Sequence, residues 1–208
     1  MKHLWLNKKN NENLIVFFIG WGMDEKIVSH LDYENYDVLM FYNYTDLEYK
    51  EIDFSQYKQK YLIAWSMGVF TCNKLFNVLE NFDKKIAING TQKPIDDNFG
   101  IPVLFYDLMI DNFNELTSEK FIKKISNNND SKDFCTRTKD ELKEELIKIK
   151  FHKIDNFIKF DKAIVSLKDR IIPPKNQQAF WELENTEIVE IKALHSIFDM
   201  YSKWAELL

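Results

Sequence analysis

The stretch Tyr61-Leu62-Ile63-Ala64-Trp65-Ser66-Met67-Gly68-Val69 decides the fold. Five apolar residues are followed by a serine and, two positions on, a glycine. They read as a strand buried on both faces that turns sharply into a helix from about residue 67. A serine on such a strand-turn-helix is presented at the carboxyl end of the sheet. Small residues two before and two after it let neighbouring backbones pass closely. Those positions hold Ala64 and Gly68, so the pattern is A-x-S-x-G and not the commoner G-x-S-x-G. Alanine adds only one methyl group to the turn, and Ser66 is the candidate nucleophile.

Outward from this strand the same rhythm repeats. Leu14-Ile15-Val16-Phe17-Phe18-Ile19 is apolar on both faces, and shorter runs lie at 38–42, 86–88, 163–167 and 186–191. Helical patterns fall between or after them, over about 24–31, 67–81, 174–183 and 196–207. Strands alternating with helices imply a mostly parallel sheet with helices on both faces. There is no internal repeat. At 208 residues the chain has room for one well-buried core, hence a single domain over 1–208. Its 45% hydrophobic and 15% aromatic content is globular.

The bulk properties narrow the function classes. A net charge of −5 opposes general nucleic-acid binding, which needs a basic surface to displace counterions. Cys72 and Cys135 are too few for a disulfide framework and lack metal-ligand spacing, so they read as free thiols. The first hydrophobic run ends at Gly20-Trp21-Gly22, too early for a signal peptide or a membrane span. The expectation is a cytoplasmic monomer away from the membrane.

Serine needs a base to act as a nucleophile at neutral pH, and histidine is the usual one. Of His3, His30, His152 and His195, only His195 follows the last strand, at 186–191, where this type of sheet carries its base. The base in turn needs an acid to hold its tautomer. Asp169 follows the strand at 163–167 and precedes a helix opened by Pro173-Pro174. Asp161 is the rival, but it precedes that strand. The chain order Ser66, Asp169, His195 is the order of α/β-hydrolases. Donors for an oxyanion are expected from the N–H of Met67 and from the loop after the first central strand. There the N–H of Trp21, between two glycines, is the candidate, although Trp21 could also serve only as core packing.

Residues 112–160 break the rhythm. They contain no good strand, and Thr138 and Glu141 have capping-box spacing ahead of Leu142, Leu146 and Ile149 on one helical face. This reads as a helical lid inserted over the sheet's carboxyl edge. Between Lys120 and Lys153 there are ten Lys/Arg against six Asp/Glu, a local +4. Two readings fit that excess: a solvated amphipathic helix pair, or a landing surface for an acidic partner.

Taken together, Gly20-Trp21-Gly22, Ala64-Trp65-Ser66-Met67-Gly68-Val69, Asn89-Gly90-Thr91, Asp96-Asp97-Asn98-Phe99-Gly100-Ile101-Pro102, Asp169-x-Ile171-x-Pro173 and His195-x-x-Phe198 resemble the BioG-type esterases. These are pimeloyl-[acyl-carrier protein] methyl ester esterases of biotin precursor synthesis. The similarity keeps order and spacing over nearly the whole chain, and Ala64 belongs to that family's pattern. It implies that Ser66, His195 and Asp169 hydrolyse a methyl ester on a carrier-bound pimeloyl chain, without metal or organic cofactor. It also implies an acidic acyl carrier protein as partner, with Lys120, Lys123, Lys124, Arg137 and Lys139 as candidate contacts. A broader carboxylesterase or thioesterase is the alternative within the same chemistry. A non-catalytic binding protein on the same fold is the alternative outside it.

Overall fold

The computed structural model describes residues 1–125 and 136–208. Strands β1 (Lys2–Asn7), β2 (Asn13–Phe18), β3 (Tyr36–Tyr42), β4 (Gln59–Trp65), β5 (Lys84–Ile88), β6 (Lys162–Ser166) and β7 (Glu187–Ile191) form one sheet. Their order is β1-β3-β2-β4-β5-β6-β7. β1 is antiparallel to β3, and all other pairings are parallel. Parallel neighbours need crossovers, which cover the sheet on both faces and make its central strands apolar throughout. Side-chain alternation divides the core accordingly. Val16, Phe18, Leu62 and Ala64 pack in one cluster, and Ile15, Phe17, Ile63 and Trp65 in the other. This is the α/β-hydrolase sheet expected from the sequence.

The helices are α1 (Gly68–Thr71), α2 (Phe76–Leu79), α3 (Val103–Asp111), α4 (Glu115–Ile125), α5 (Lys139–Phe151) and α6 (Pro174–Leu183). Three expected helices take other forms. The segment 67–81 is broken, because Cys72–Leu75 between α1 and α2 is a 3-10 turn. There Thr71 Oγ1 donates to the Met67 carbonyl, and Asn73 Nδ2 donates to those of Val69 and Phe70. Such back-bonding competes with the regular ladder and bends it. The segment 24–31 contracts to one 3-10 turn, Glu25–Val28, capped by Asp24. The segment 196–207 holds two 3-10 turns, Phe198–Met200 and Trp204–Leu207. Between them the chain is drawn out against Asp32, whose N–H donates to Ser202 O at 2.8 Å and whose carbonyl accepts from Trp204 N at 3.1 Å.

β1 and α3 are additions to the sequence reading. An edge strand needs no continuous apolar run, and in β1 only Asn7 is buried. α3 exposes Leu104, Phe105 and Leu108, so its apolar residues do not follow the burial pattern that periodicity detects.

The segment 112–160 supplies α4 and α5. The Thr138–Glu141 capping box forms, and Leu146 and Ile149 enter the core while Leu142 packs against it. Glu145, fully buried on α5, lies 2.7 Å from Arg137 Nη2 and accepts the Tyr44 N–H at 2.5 Å. Burial pushes the Glu145 carboxyl up; the Arg137 guanidinium and the Tyr44 N–H oppose that shift. The Tyr44 hydrogen bond thus ties α5 to the loop after β3, and the ion pair ties α5 to the residues just before it. Among the described residues no helix is long and apolar enough to cross a membrane.

Candidate active site

Ser66 follows β4 directly, with φ +56°, in the left-handed region that non-glycine residues seldom occupy. The surroundings hold it there. Its N–H donates to Ile88 O at 2.9 Å. A Cβ on Gly68 would lie 2.3 Å from the Phe18 carbonyl oxygen, and one on Gly90 would lie 2.5 Å from that of Ser66. Glycine is therefore required by close backbone approach on both sides of the turn.

The loops after β6 and β7 bring the other two predicted residues to the serine. His195 Nε2 is 2.8 Å from Ser66 Oγ, and His195 Nδ1 is 2.7 Å from Asp169 Oδ2. All three residues are buried. Asp169 Oδ1 accepts the N–H groups of Ile171 at 2.8 Å and Ile172 at 3.1 Å. Oδ2 also accepts from Gln177 Nε2 at 2.9 Å. A carboxylate so surrounded is an acceptor only, so Nδ1 of His195 carries the hydrogen and the lone pair of Nε2 faces the serine hydroxyl. This geometry can move a proton from Ser66 Oγ to the imidazole.

The remaining candidates fall as follows. His30 Nε2 contacts Phe198 O and His152 Nε2 contacts Tyr44 O, while His3 lies on the edge strand β1. Asp161 accepts from Lys85 N, just before β6 begins. Trp21 and Met67 border a small space beside Ser66, and among the described residues neither backbone N–H donates a hydrogen bond. The Trp21 ring also packs edge-on against Phe113 and Phe121, with Nε1 donating to Leu142 O, so the residue has a core role besides its position at the site.

That small space is about 10 Å³, room for about one water. A cleft of about 530 Å³ adjoins it, and Ile101, Met109, Phe121 and Ile171 wall both. Lys120 and Lys124 of α4 line the cleft, joined by Arg170, which the sequence reading did not single out. Lys123 and Lys139 are exposed. Arg137 is turned inward onto Glu145, its side chain 12% exposed, and is not available as a surface contact.

Two further residues went unassigned in the sequence. Asn89, in the quoted Asn-Gly-Thr motif, donates to His195 O and Ser166 Oγ, both at 2.8 Å, and accepts from Ser166 N. Trp65 Nε1 also donates to His195 O. Gln177 carries no motif signal at all; only the fold brings it to Asp169.

A family model described as pimeloyl-ACP methyl esterase BioG matches residues 1–207. The crystal structure of BioG from Haemophilus influenzae superposes with a TM-score of 0.87 at 34% identity, covering 100% of this chain and 99% of that one. A Bacteroides fragilis malonyl-[acyl-carrier protein] O-methyltransferase is 35% identical over 191 residues, which cover 87% of this chain and 39% of that protein. A lipase-esterase related protein from Clostridium acetobutylicum shares the fold, with a TM-score of 0.64 at 19% identity over 92% of this chain and 90% of that one. An α/β-hydrolase sheet with a serine at its turn, matched along its length to an ester-hydrolase family, leads to one conclusion: the chain belongs to the BioG family of pimeloyl-ACP methyl esterases.

Proposed function

We propose that this chain is a serine carboxylesterase that removes the methyl ester from a pimeloyl group held on acyl carrier protein, in the synthesis of the biotin precursor. The reading rests above all on the hydrogen-bonded line Ser66–His195–Asp169 beside an apolar cleft. Ser66 Oγ attacks the ester carbonyl as His195 Nε2 takes its proton. The N–H groups of Trp21 and Met67 receive the oxyanion. His195 then protonates the departing methoxide, which leaves as methanol, and water activated by the same imidazole hydrolyses the acyl-enzyme.

In this reading the cleft takes the acyl chain, and 112–160 acts as a lid on a single domain. A space of about 10 Å³ cannot admit an ester, so Met109 and Phe121 must withdraw for substrate to reach Ser66. Lys120, Lys123, Lys124 and Arg170, with Lys139 as a further exposed candidate, would orient the acidic carrier in the cytoplasm. The exposed apolar face of α3 lies at the same mouth, since Phe105 and Leu108 line the cleft too. The Bacteroides fragilis relative is named for a methyl transfer to a carrier-bound acyl group, the kind of ester this reaction would remove.

The test compares the methyl ester of pimeloyl-carrier protein with free methyl pimelate, using Ser66→Ala as control. The carrier-bound ester should be hydrolysed far more efficiently, and Ser66→Ala should be inactive. Equal efficiency on both would indicate a general carboxylesterase. Failure of a fluorophosphonate to label folded wild-type protein would remove the serine mechanism.

A further inference from the structure

We propose that Gln177 is a positioning residue for the Asp169–His195 pair: it holds the Asp169 carboxylate, through Oδ2, in the orientation that keeps hydrogen on His195 Nδ1. The inference rests on the serine mechanism above and assigns a new role within it.

Gln177 lies in the first turn of α6, four residues after Pro173, and is fully buried. Its two amide atoms are used unequally. Nε2 donates to Asp169 Oδ2 at 2.9 Å and to Ile172 O at 2.9 Å. Oε1 is buried and, among the described residues, accepts no hydrogen bond. A buried amide oxygen without a donor is costly, so filling space does not explain this residue; an apolar side chain of similar length would fill it without that cost. The NH2 group is what the site uses.

The role follows from the four donors around Asp169. The backbone N–H groups of Ile171 and Ile172 hold Oδ1. Oδ2 takes His195 Nδ1 and Gln177 Nε2. Because Nε2 also bridges to the carbonyl of Ile172, whose N–H grips Oδ1, the amide and that peptide clamp the carboxylate from both sides. Its rotation is stopped without help from the histidine. An imidazole that must alternately take and return a proton then meets a fixed acceptor.

Two near-isosteric variants test this on a p-nitrophenyl ester, with rates normalised to sites titrated by a fluorophosphonate so that unfolded protein does not count. Gln177→Met keeps the volume and removes the donor. It should lower kcat about tenfold with KM within about twofold, since the side chain does not touch substrate. Gln177→Glu places a second carboxyl against Asp169, where two buried carboxyls cannot both ionise, so the pair shares one proton that keeps a donor on Oδ2. As pH rises and that proton leaves, the clamp becomes a repulsion, and kcat per site should fall about tenfold along an alkaline limb that wild type lacks. A packing role predicts fewer titratable sites in both variants, with an unchanged kcat per site and no new alkaline limb; that result overturns the proposal. If wild type itself is neither labelled nor active, the serine mechanism fails first, and this role falls with it.

Discussion

Asp169→Asn exchanges one carboxylate oxygen for an NH2 group, and the structure dictates which one. Oδ1 faces two backbone donors, the N–H groups of Ile171 and Ile172. An NH2 placed there would oppose two fixed donors inside the protein. The amide oxygen must therefore take the Oδ1 position, which turns the NH2 toward His195 Nδ1 and Gln177. Gln177 can answer by flipping, because its Oε1 is free to accept among the described residues, though it then loses its bond to Ile172 O. His195 has one response: Nδ1 becomes the acceptor and the hydrogen moves to Nε2. That nitrogen sits 2.8 Å from Ser66 Oγ and can no longer take its proton. Inverting the tautomer in serine hydrolases of this design costs about 10⁴ in kcat, or about 5 kcal/mol of barrier. Single-turnover hydrolysis of a p-nitrophenyl ester and the rate of fluorophosphonate labelling should fall together, with the far-ultraviolet circular dichroism unchanged. A folded variant that loses less than about tenfold would refute the reasoning, because the histidine would then be oriented by something other than Asp169.

Three other outcomes follow from the same structure. Reversing charge at Lys120 and Lys124, which line the cleft, should raise KM for the carrier-bound ester about tenfold and flatten its salt dependence, leaving short free esters unaffected; an unchanged KM would return these lysines to an ordinary solvated face. Arg137→Ala strands buried Glu145 and should cost about 3–5 kcal/mol, a fall in Tm of about 6–20 °C by thermal unfolding, whereas a shift near zero would mean that solvent reaches the pair. Glu145 has its carboxyl held above the ordinary 4.5, chiefly by burial, so the folded state binds its proton more tightly than the unfolded chain. Its stabilising contribution is full below that value and is lost as pH rises through the folded one. The Tm deficit of Glu145→Gln should therefore be larger at pH 4.5 than at pH 7. A deficit that grows with pH would reverse the assignment.

The chain order and spacing around Ser66, Asp169 and His195 were legible because each residue follows a strand, and a parallel sheet carries the ends of its strands to one edge. Central strands announce themselves by apolar runs, since burial on two faces leaves no room for polar residues. The insertion's capping box was equally readable, because its partners are three residues apart.

Contacts between distant residues were not readable. Arg137 counted as one more basic residue until the fold paired it with Glu145, which also accepts from Tyr44 in the loop after β3. The expected final helix gave way to extended chain because Asp32, far away in sequence, offered its backbone groups. Gln177 has no signal at all, since its meaning lies in an oxygen of Asp169 that only α6 brings within reach. Local residue pattern determined the sheet (apart from its edge strand β1), its turn and the three residues gathered at its carboxyl edge. Tertiary structure alone decided which charges face solvent, which helices survive and what holds the Asp169 carboxylate, because those outcomes depend on partners that no local window contains.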